Sequence, residues 1–293
     1  MKKILFLLVF VSTLSQAQRL ETEILVGVTG YSGDLASGNK PFNPAKPGVN
    51  VNLDYWFNQF VAIRGGIGYG KISGQDKGGS DTFLVRRNLS FETDVYDASI
   101  GLQVNLLNPW DFKVFPYVFA GVGVFHFDPK ARDAQNNLVS LRDLSTEGQG
   151  LEEFPNRKPY KLTQLCLPFA VGVKTKFSDR FGMAAEIAFR PTFTDYLDDV
   201  STTYADFEVL LTKKGEKATK MAFRGDELSR PLQYPQNGTI RGNPRKNDWY
   251  YYGGIKFTFL LGKIKKYEEQ DENDGKKKRK KKKQEEETNE AQF

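Results

Sequence analysis

Eight stretches of this chain alternate apolar and polar residues one by one, and that period of two constrains the fold more than any other feature. They run Glu21–Tyr31, Gly48–Phe57, Phe60–Lys71, Phe91–Leu107, Val114–Phe127, Leu162–Phe177, Phe181–Thr192 and Trp249–Gly262. Successive side chains of a β-strand point to opposite faces, so the pattern predicts strands. Each is about ten residues or longer, the length a tilted strand needs to cross a bilayer. In the seventh, Phe181, Met183, Ala185, Ile187 and Phe189 share one face, and Gly182, Ala184, Glu186, Ala188 and Arg190 the other. In the fourth, Tyr96, Ala98, Ile100, Leu102, Val104 and Leu106 oppose Asp97, Ser99, Gly101, Gln103 and Asn105. The fifth has apolar residues on both faces. Its valine face (Val118, Val122, Val124) is expected to point outward, because Gly121 and Gly123 suit a crowded interior.

The polarity of the faces decides what kind of sheet this is. Glu23, Asp54, Asp97 and Glu186 fall on the polar faces, together with Arg64, Lys174, Arg190 and Lys256. A soluble β-sandwich or lipocalin-like barrel buries its apolar face. With these charges inside, such a fold would have no core. The expectation is an all-β, eight-stranded antiparallel transmembrane β-barrel with outer-membrane lipid around it and charges within. The mean hydropathy of −0.50 does not oppose this, since alternation dilutes the apolar signal. Eight strands enclose just enough room for side chains, and the acids and bases balance, so a packed charge network is expected and no open pore. The connectors alternate in length. Asn58-Gln59, Asn108–Asp111 and Ser178–Arg180 are short; Ser32–Pro47, Ile72–Ser90, Asp128–Lys161 and Phe193–Asp248 are long and polar. That is the pattern of long extracellular loops and short periplasmic turns, with both termini periplasmic. Trp56, Phe57, Trp110, Phe112, Trp249, Tyr250 and Tyr251 at strand ends are expected to form interfacial girdles.

The ends suggest export. Lys2 and Lys3, an apolar run Ile4–Val11 and small residues Ser15 and Ala17 form a cleavable signal peptide over residues 1–17. A buried N-terminal helix or strand is the alternative. The barrel is expected over 18–262 and a charged, low-complexity, disordered periplasmic tail over 263–293. In that tail Lys276–Lys283 (KKKRKKKK) is flanked by acids. An exported chain makes nucleic acid a poor partner for it.

Little points to chemistry. The chain has one cysteine, Cys166, and one histidine, His126, so no metal constellation of those ligands is visible. No phosphate-binding loop or Ser-His-Asp order stands out, and no cofactor or small-molecule substrate is expected. His126 near the rim and the loop acids Asp195, Asp198, Asp199 and Asp206 leave a rim hydrolase as the enzymatic alternative.

Three segments carry a resemblance: Lys161–Lys174 (KLTQLCLPFAVGVK), Phe181–Asp206 (FGMAAEIAFRPTFTDYLDDVSTTYAD) and Gly242–Tyr252 (GNPRKNDWYYY), joined by Tyr31–Leu35 (YSGDL). They resemble the Bacteroidetes outer-membrane barrel family that includes PorG of the type IX secretion system, the DUF6089 family. Thr194–Asp206 is the most specific piece, and the tail lies outside the likeness. The resemblance implies a non-enzymatic barrel associated with the periplasmic ring built from PorK and PorN. That machinery exports cargo bearing a C-terminal signal. An OmpA-like structural or adhesive barrel is the alternative function. For the motif loop, Asp195, Tyr196, Leu197, Asp198, Asp199, Tyr204 and Asp206, two readings stand. One is structural, with Tyr196 and Leu197 packed on the barrel mouth and Asp198, Asp199 and Asp206 capping turns. The other is an extracellular docking surface or cation site.

Overall fold

A computed structural model describes residues 20–36, 44–76 and 82–261. The predicted signal peptide and charged tail lie outside the described residues. Eight staves close a barrel: β1 (Leu20–Ser32), β2 (Lys46–Trp56), β3 (Val61–Gln75), β4 (Ser90–Asn105), β5 (Val114–His126), a stave split into β8 (Thr163–Cys166) and β9 (Phe169–Lys176), β10 (Phe181–Pro191) and β11 (Trp249–Leu260). Each pairs antiparallel with its neighbours. β1 pairs with β11, from Glu21 opposite Leu260 to Ser32 opposite Trp249, which removes both sheet edges. The hairpin β6 (Lys130–Arg132) and β7 (Leu138–Ser140) rises from the end of β4.

The sixth strand departs from the continuous one expected. Pro168 has no N–H to give the ladder, so pairing breaks at Leu167-Pro168. The wall stays sealed there: the Leu167 N–H donates to Pro191 O at 3.0 Å, and Pro168 O accepts from Gly121 N at 2.9 Å. Two glycine pairs face each other across the ladder, Gly27 with Gly254 and Gly101 with Gly121. A Cβ on Gly27 would overlap the carbonyl oxygen of Gly253, and one on Gly101 that of Ala120. These contacts let neighbouring strands approach and bend within a narrow barrel.

The outer wall is apolar. Ile24, Val26, Leu53, Ile67, Ile100, Leu102, Val122, Val171, Ile187, Ile255 and Phe257 are all exposed, while the charges between them are buried. Val122 and Val124 point out and Phe115, Tyr117, Phe119 and Phe125 point in, the orientation expected for the fifth strand. An apolar belt around a charged interior suits hydrocarbon as the surrounding solvent. No described helix is long and apolar enough to cross a membrane. Three girdle residues behave otherwise than expected. Trp56 and Tyr250 turn inward and are buried, and Tyr251 is covered by Phe189, with ring centroids 6.0 Å apart.

The long connectors are not plain polar loops. Among the described residues they carry four short α-helices, α1 (Thr82–Arg87), α2 (Leu141–Leu144), α3 (Phe207–Lys214) and α4 (Glu216–Ala222), and a 3-10 turn at Gly225–Glu227. These close over one end of the barrel as a cap. The helices were hidden because each is too short to show a 3.6-residue period. A continuous core runs from Leu25 in the lumen through Phe125, Phe127, Tyr160 and Leu197 to Met221 in the cap. Phe125 stacks on Phe127, Phe127 on Tyr160, and Tyr160 on Tyr196, at centroid distances of 5.4, 6.2 and 4.8 Å.

Ile67, mid-strand in β3, is 64% exposed. Ile67→Arg is expected to destabilise the barrel refolded into vesicles by about 2–4 kcal/mol, with Ile67→Ala costing far less. Urea unfolding of both variants checks this, and equal stabilities would contradict a lipid-facing wall.

Candidate functional site

Two buried charge clusters lie along the barrel axis. The lower one fills the lumen near the short turns and centres on Arg64. Its guanidinium donates to Asp54 Oδ1 at 3.0 Å, Glu23 Oε2 at 2.5 Å and Glu186 Oε2 at 3.1 Å, and also to the Gln103 side chain. Lys174 Nζ donates to Glu23 at 2.7 Å and to both oxygens of Glu21 at 3.2 Å. Lys256 bonds Glu23 at 2.9 Å and also Glu186. Tyr117 donates to Glu186 at 2.7 Å, and Trp56 Nε1 to Glu21 at 2.8 Å. Higher in the lumen Arg190 faces Asp97 at 3.8 Å, and Tyr252 donates to Asp97 at 2.6 Å. All eight lumen charges named from the sequence are buried, Arg64 with five around it and two in the Asp97–Arg190 tier.

Sequence reasoning left Glu21 and Trp56 out of this network and set Gln103 on the polar face without giving it a partner. Glu21 and Trp56 sit at strand ends, where facing is hardest to read, and Gln103 carries no charge. Glu21, Glu23 and Asp54 offer oxygens within 4.8 Å of one another, a spacing that could hold a metal ion. Here Lys174 and Arg64 supply the positive charge instead. With Glu21 the lumen holds five carboxylates to four bases, and all four bases are paired. Removing one partner from such a cluster strands charges out of water. Arg64→Met is expected to cost about 3–5 kcal/mol, read as a lower urea midpoint of the refolded barrel.

The upper cluster lies in the cap, and the motif loop forms its middle. Leu197, Asp198, Asp199 and Tyr204 are completely or almost completely buried, and Asp195 nearly so. The loop packs inside the cap as an internal strut. Asp206 caps α3 by accepting from Glu208 N at 3.0 Å and Val209 N at 3.1 Å. Asp198 accepts from Val200 N at 2.9 Å, from Leu35 N at 3.0 Å and from the Tyr31 hydroxyl. Asp199 has a left-handed backbone, φ 67°, and its carboxylate accepts from Thr146 and, at 2.8 Å, from Tyr160. Tyr196 donates to Glu147 at 3.2 Å.

Residues distant in sequence complete the cap. Arg241 pairs with Glu147 at 2.9 Å and approaches Asp199 at 3.7 Å. Arg87 pairs with Asp76 at 2.7 Å. Asp248 accepts from Leu197 N at 2.8 Å, and Asp34 from Asn243 N at 2.8 Å. Sequence reasoning singled out neither arginine, because nothing local marks a loop arginine as buried. Three of the four segments that carried the resemblance meet here: Tyr31–Leu35, Thr194–Asp206 and Gly242–Tyr252. His126 does not join the acids. It lies exposed on the outer face, with Nδ1 2.9 Å from Thr163 Oγ1.

Burial raises the acids of the cap. It pushes Asp195 up to about 8, with repulsion from Asp34 and Asp198 adding, and Asp198 up to about 7, with repulsion from Asp34. Asp199 rises to about 6 despite Arg241, and Asp248 rises well above the carboxylate range through burial and the charges of Asp198 and Asp195. A carboxyl raised in the folded state binds protons more tightly there than in the unfolded chain. Its contribution is therefore complete below the ordinary carboxylate range near 4 and is lost as pH rises through 6–8. Facing these groups are Glu147, Tyr31, Tyr160, Arg87 and Arg241. With divalent cations chelated, the cap is expected to resist trypsin better at pH 5.5 than at pH 8.5, once corrected for the protease's own pH profile (roughly the window those shifts define). Asp195→Asn should flatten part of that difference.

The solved structures similar to this chain include the following three. Neisserial surface protein A shares 8% identity, with 82% of this chain and 96% of that one covered and a TM-score of 0.40. Ail, the attachment invasion locus protein of Yersinia pestis, shares 11% (82% and 99% covered, TM-score 0.37). The outer membrane protein OprG from Pseudomonas aeruginosa shares 11% (83% and 97%, TM-score 0.38). No curated protein matches the sequence. A family profile described as "Domain of unknown function (DUF6089)" matches residues 1–230, which takes in β1 to β10 and most of the cap. The chain belongs to the DUF6089 family.

Proposed function

We propose that the protein is a non-enzymatic barrel of the bacterial outer membrane that anchors a periplasmic assembly and transports nothing through its own lumen. The observation that carries this reading is the Arg64 network. Its side chains bridge β1, β2, β3, β4 and β10 across the axis, which supports an occluded lumen. The apolar belt supports a lipid surround, and the capped end with its long connectors supports an extracellular cap, with both termini in the periplasm. Membership of the family and the quoted motifs favour a role as a component or accessory of the type IX secretion system, engaging its PorK/PorN-type ring. The cap segments face away from such a ring in this orientation. Contact would then fall on the short turns at Asn58, Asn108–Asp111 and Ser178–Arg180 and on the basic tail, whose contribution should weaken with salt. An OmpA-like structural or adhesive barrel is favoured by one feature, the ordered cap presented outward. The rim-hydrolase reading loses support from His126, which stands on the outer face away from Asp195, Asp198 and Asp199.

Pull-down from mild detergent with a tag on the tail is expected to recover ring components, less so as salt is raised. Normal export of C-terminal-signal cargo in a deletion strain would sink the secretion role and leave the structural barrel. In planar bilayers the purified protein is expected to give no stable conductance steps; regular steps would contradict the plugged lumen.

A further inference from the structure

The cap contains an unbalanced acidic chamber. Asp195 is 7% exposed, and neither of its carboxylate oxygens has a hydrogen-bond partner. Ser201 lies close to it without a bond of good geometry. Asp248 is 0% exposed; its Oδ2 takes the Leu197 N–H, and its Oδ1 has no partner. A Cβ on Gly33 would overlap both Asp248 Oδ1 and the Tyr31 hydroxyl, so that oxygen faces the hydroxyl held by Asp198. Asp34 borders the same space, through its bond to Asn243 N and its charge on Asp195, Asp198 and Asp248.

The cap's own cations are committed elsewhere. Arg87 is held by both oxygens of Asp76 and by Asp34 O, and Arg241 by Glu147, Asp199 and Ala222 O. Among the described residues no ion pair reaches Asp195, Asp198 or Asp248. Unpaired carboxylates out of water are costly, and buried oxygens left without any partner call for a ligand.

We propose that the cap binds one divalent cation, Ca2+, between Asp195, Asp198 and Asp248, with Asp34 at its edge. The donors are all hard oxygens, with no nitrogen or sulfur, which suits Ca2+ and not Zn2+. Among the described residues only Glu21, Glu23 and Asp54 form a carboxylate trio within 4.8 Å, so the cap acids stand farther apart than that. At Ca2+–oxygen distances of about 2.3–2.6 Å that spacing keeps the acids from all binding one ion directly, so part of the coordination would run through water, which the flexible geometry of Ca2+ allows. An ion there would tie the connectors after β1 and β10 to the segment before β11. Its affinity belongs with extracellular modules, on the order of 10⁻⁴–10⁻³ M. The site would be the same whichever assembly the barrel serves.

The test uses the full-length protein in detergent micelles, stripped with chelator and dialysed. Equilibrium dialysis with ⁴⁵Ca2+ is expected to give one saturable site, and Asp195→Asn combined with Asp248→Asn should lose about tenfold or more in affinity. The double variant keeps the acidic tail, so unchanged binding in it would assign the calcium to the tail and overturn the proposal. Should that variant not fold, Tb3+ replaces it as the probe for the wild-type chain. Tb3+ emission sensitised through tyrosine and displaced by Ca2+ is expected, since Tyr31 borders the chamber. A barrel with native circular dichroism that binds no Ca2+ at millimolar concentration and sensitises no Tb3+ would show that protons alone neutralise these acids, and the proposal would fall.

Discussion

Hydrocarbon cannot solvate a charge, and the inside of an eight-stranded barrel has little room for water. These two constraints together force the arrangement around Arg64. Every ionised side chain of the wall must turn inward, and once inside it must find its counter-charge among a handful of neighbours. Glu23 accepts from Arg64, Lys174 and Lys256 at once, and Glu186 from Arg64, Lys256 and Tyr117. Because those partners come from β1, β3, β5, β9, β10 and β11, the network acts as a set of cross-braces. Slipping any one strand by a residue would expose its charge to lipid and its isoleucines and valines to the network. Register, closure and occlusion of the lumen thus share one cause.

The cap obeys a different rule. Its segments have no lipid to exclude them from water, yet they bury Asp195, Asp198, Asp199, Glu147 and Asp248. The aromatic stack from Phe125 to Tyr196 supplies the apolar footing, continuous with the lumen core. Arg241 and Arg87 offset part of the charge above it. What remains is net negative, and together with burial this pushes Asp195 and Asp198 toward neutrality. In the lower cluster every carboxylate faces a base; in the upper one, among the described residues, Asp195 and Asp248 face none.

Much of the barrel was legible because a period of two is a local signal that each strand repeats. Even the ambiguous β5 could be oriented from Gly121 and Gly123, since a narrow interior tolerates glycine and aromatic rings together. The charged lumen residues followed from facing alone. The break at Pro168 was visible as a residue but not as an interruption, because alternation of Leu165, Leu167 and Phe169 continues through it. The cap was not legible in the same way. Its helices span four to eight residues, too short for a helical period, and its ion pairs join Arg241 to Glu147 across 94 positions. No local pattern encodes a contact of that range.

That difference bears on what the motif loop is for. A segment such as Thr194–Asp206 invites the reading that distinctive residues touch a partner, yet here Leu197, Asp198, Asp199 and Tyr204 spend their side chains and backbone on Tyr31, Leu35, Thr146, Tyr160, Arg241 and Asp248. Buried groups of this kind constrain each other tightly, because each unsatisfied oxygen costs free energy and each change of length moves a neighbour. A surface that merely meets a partner carries no such mutual requirement. The distinctive sequence therefore reports how the cap is built.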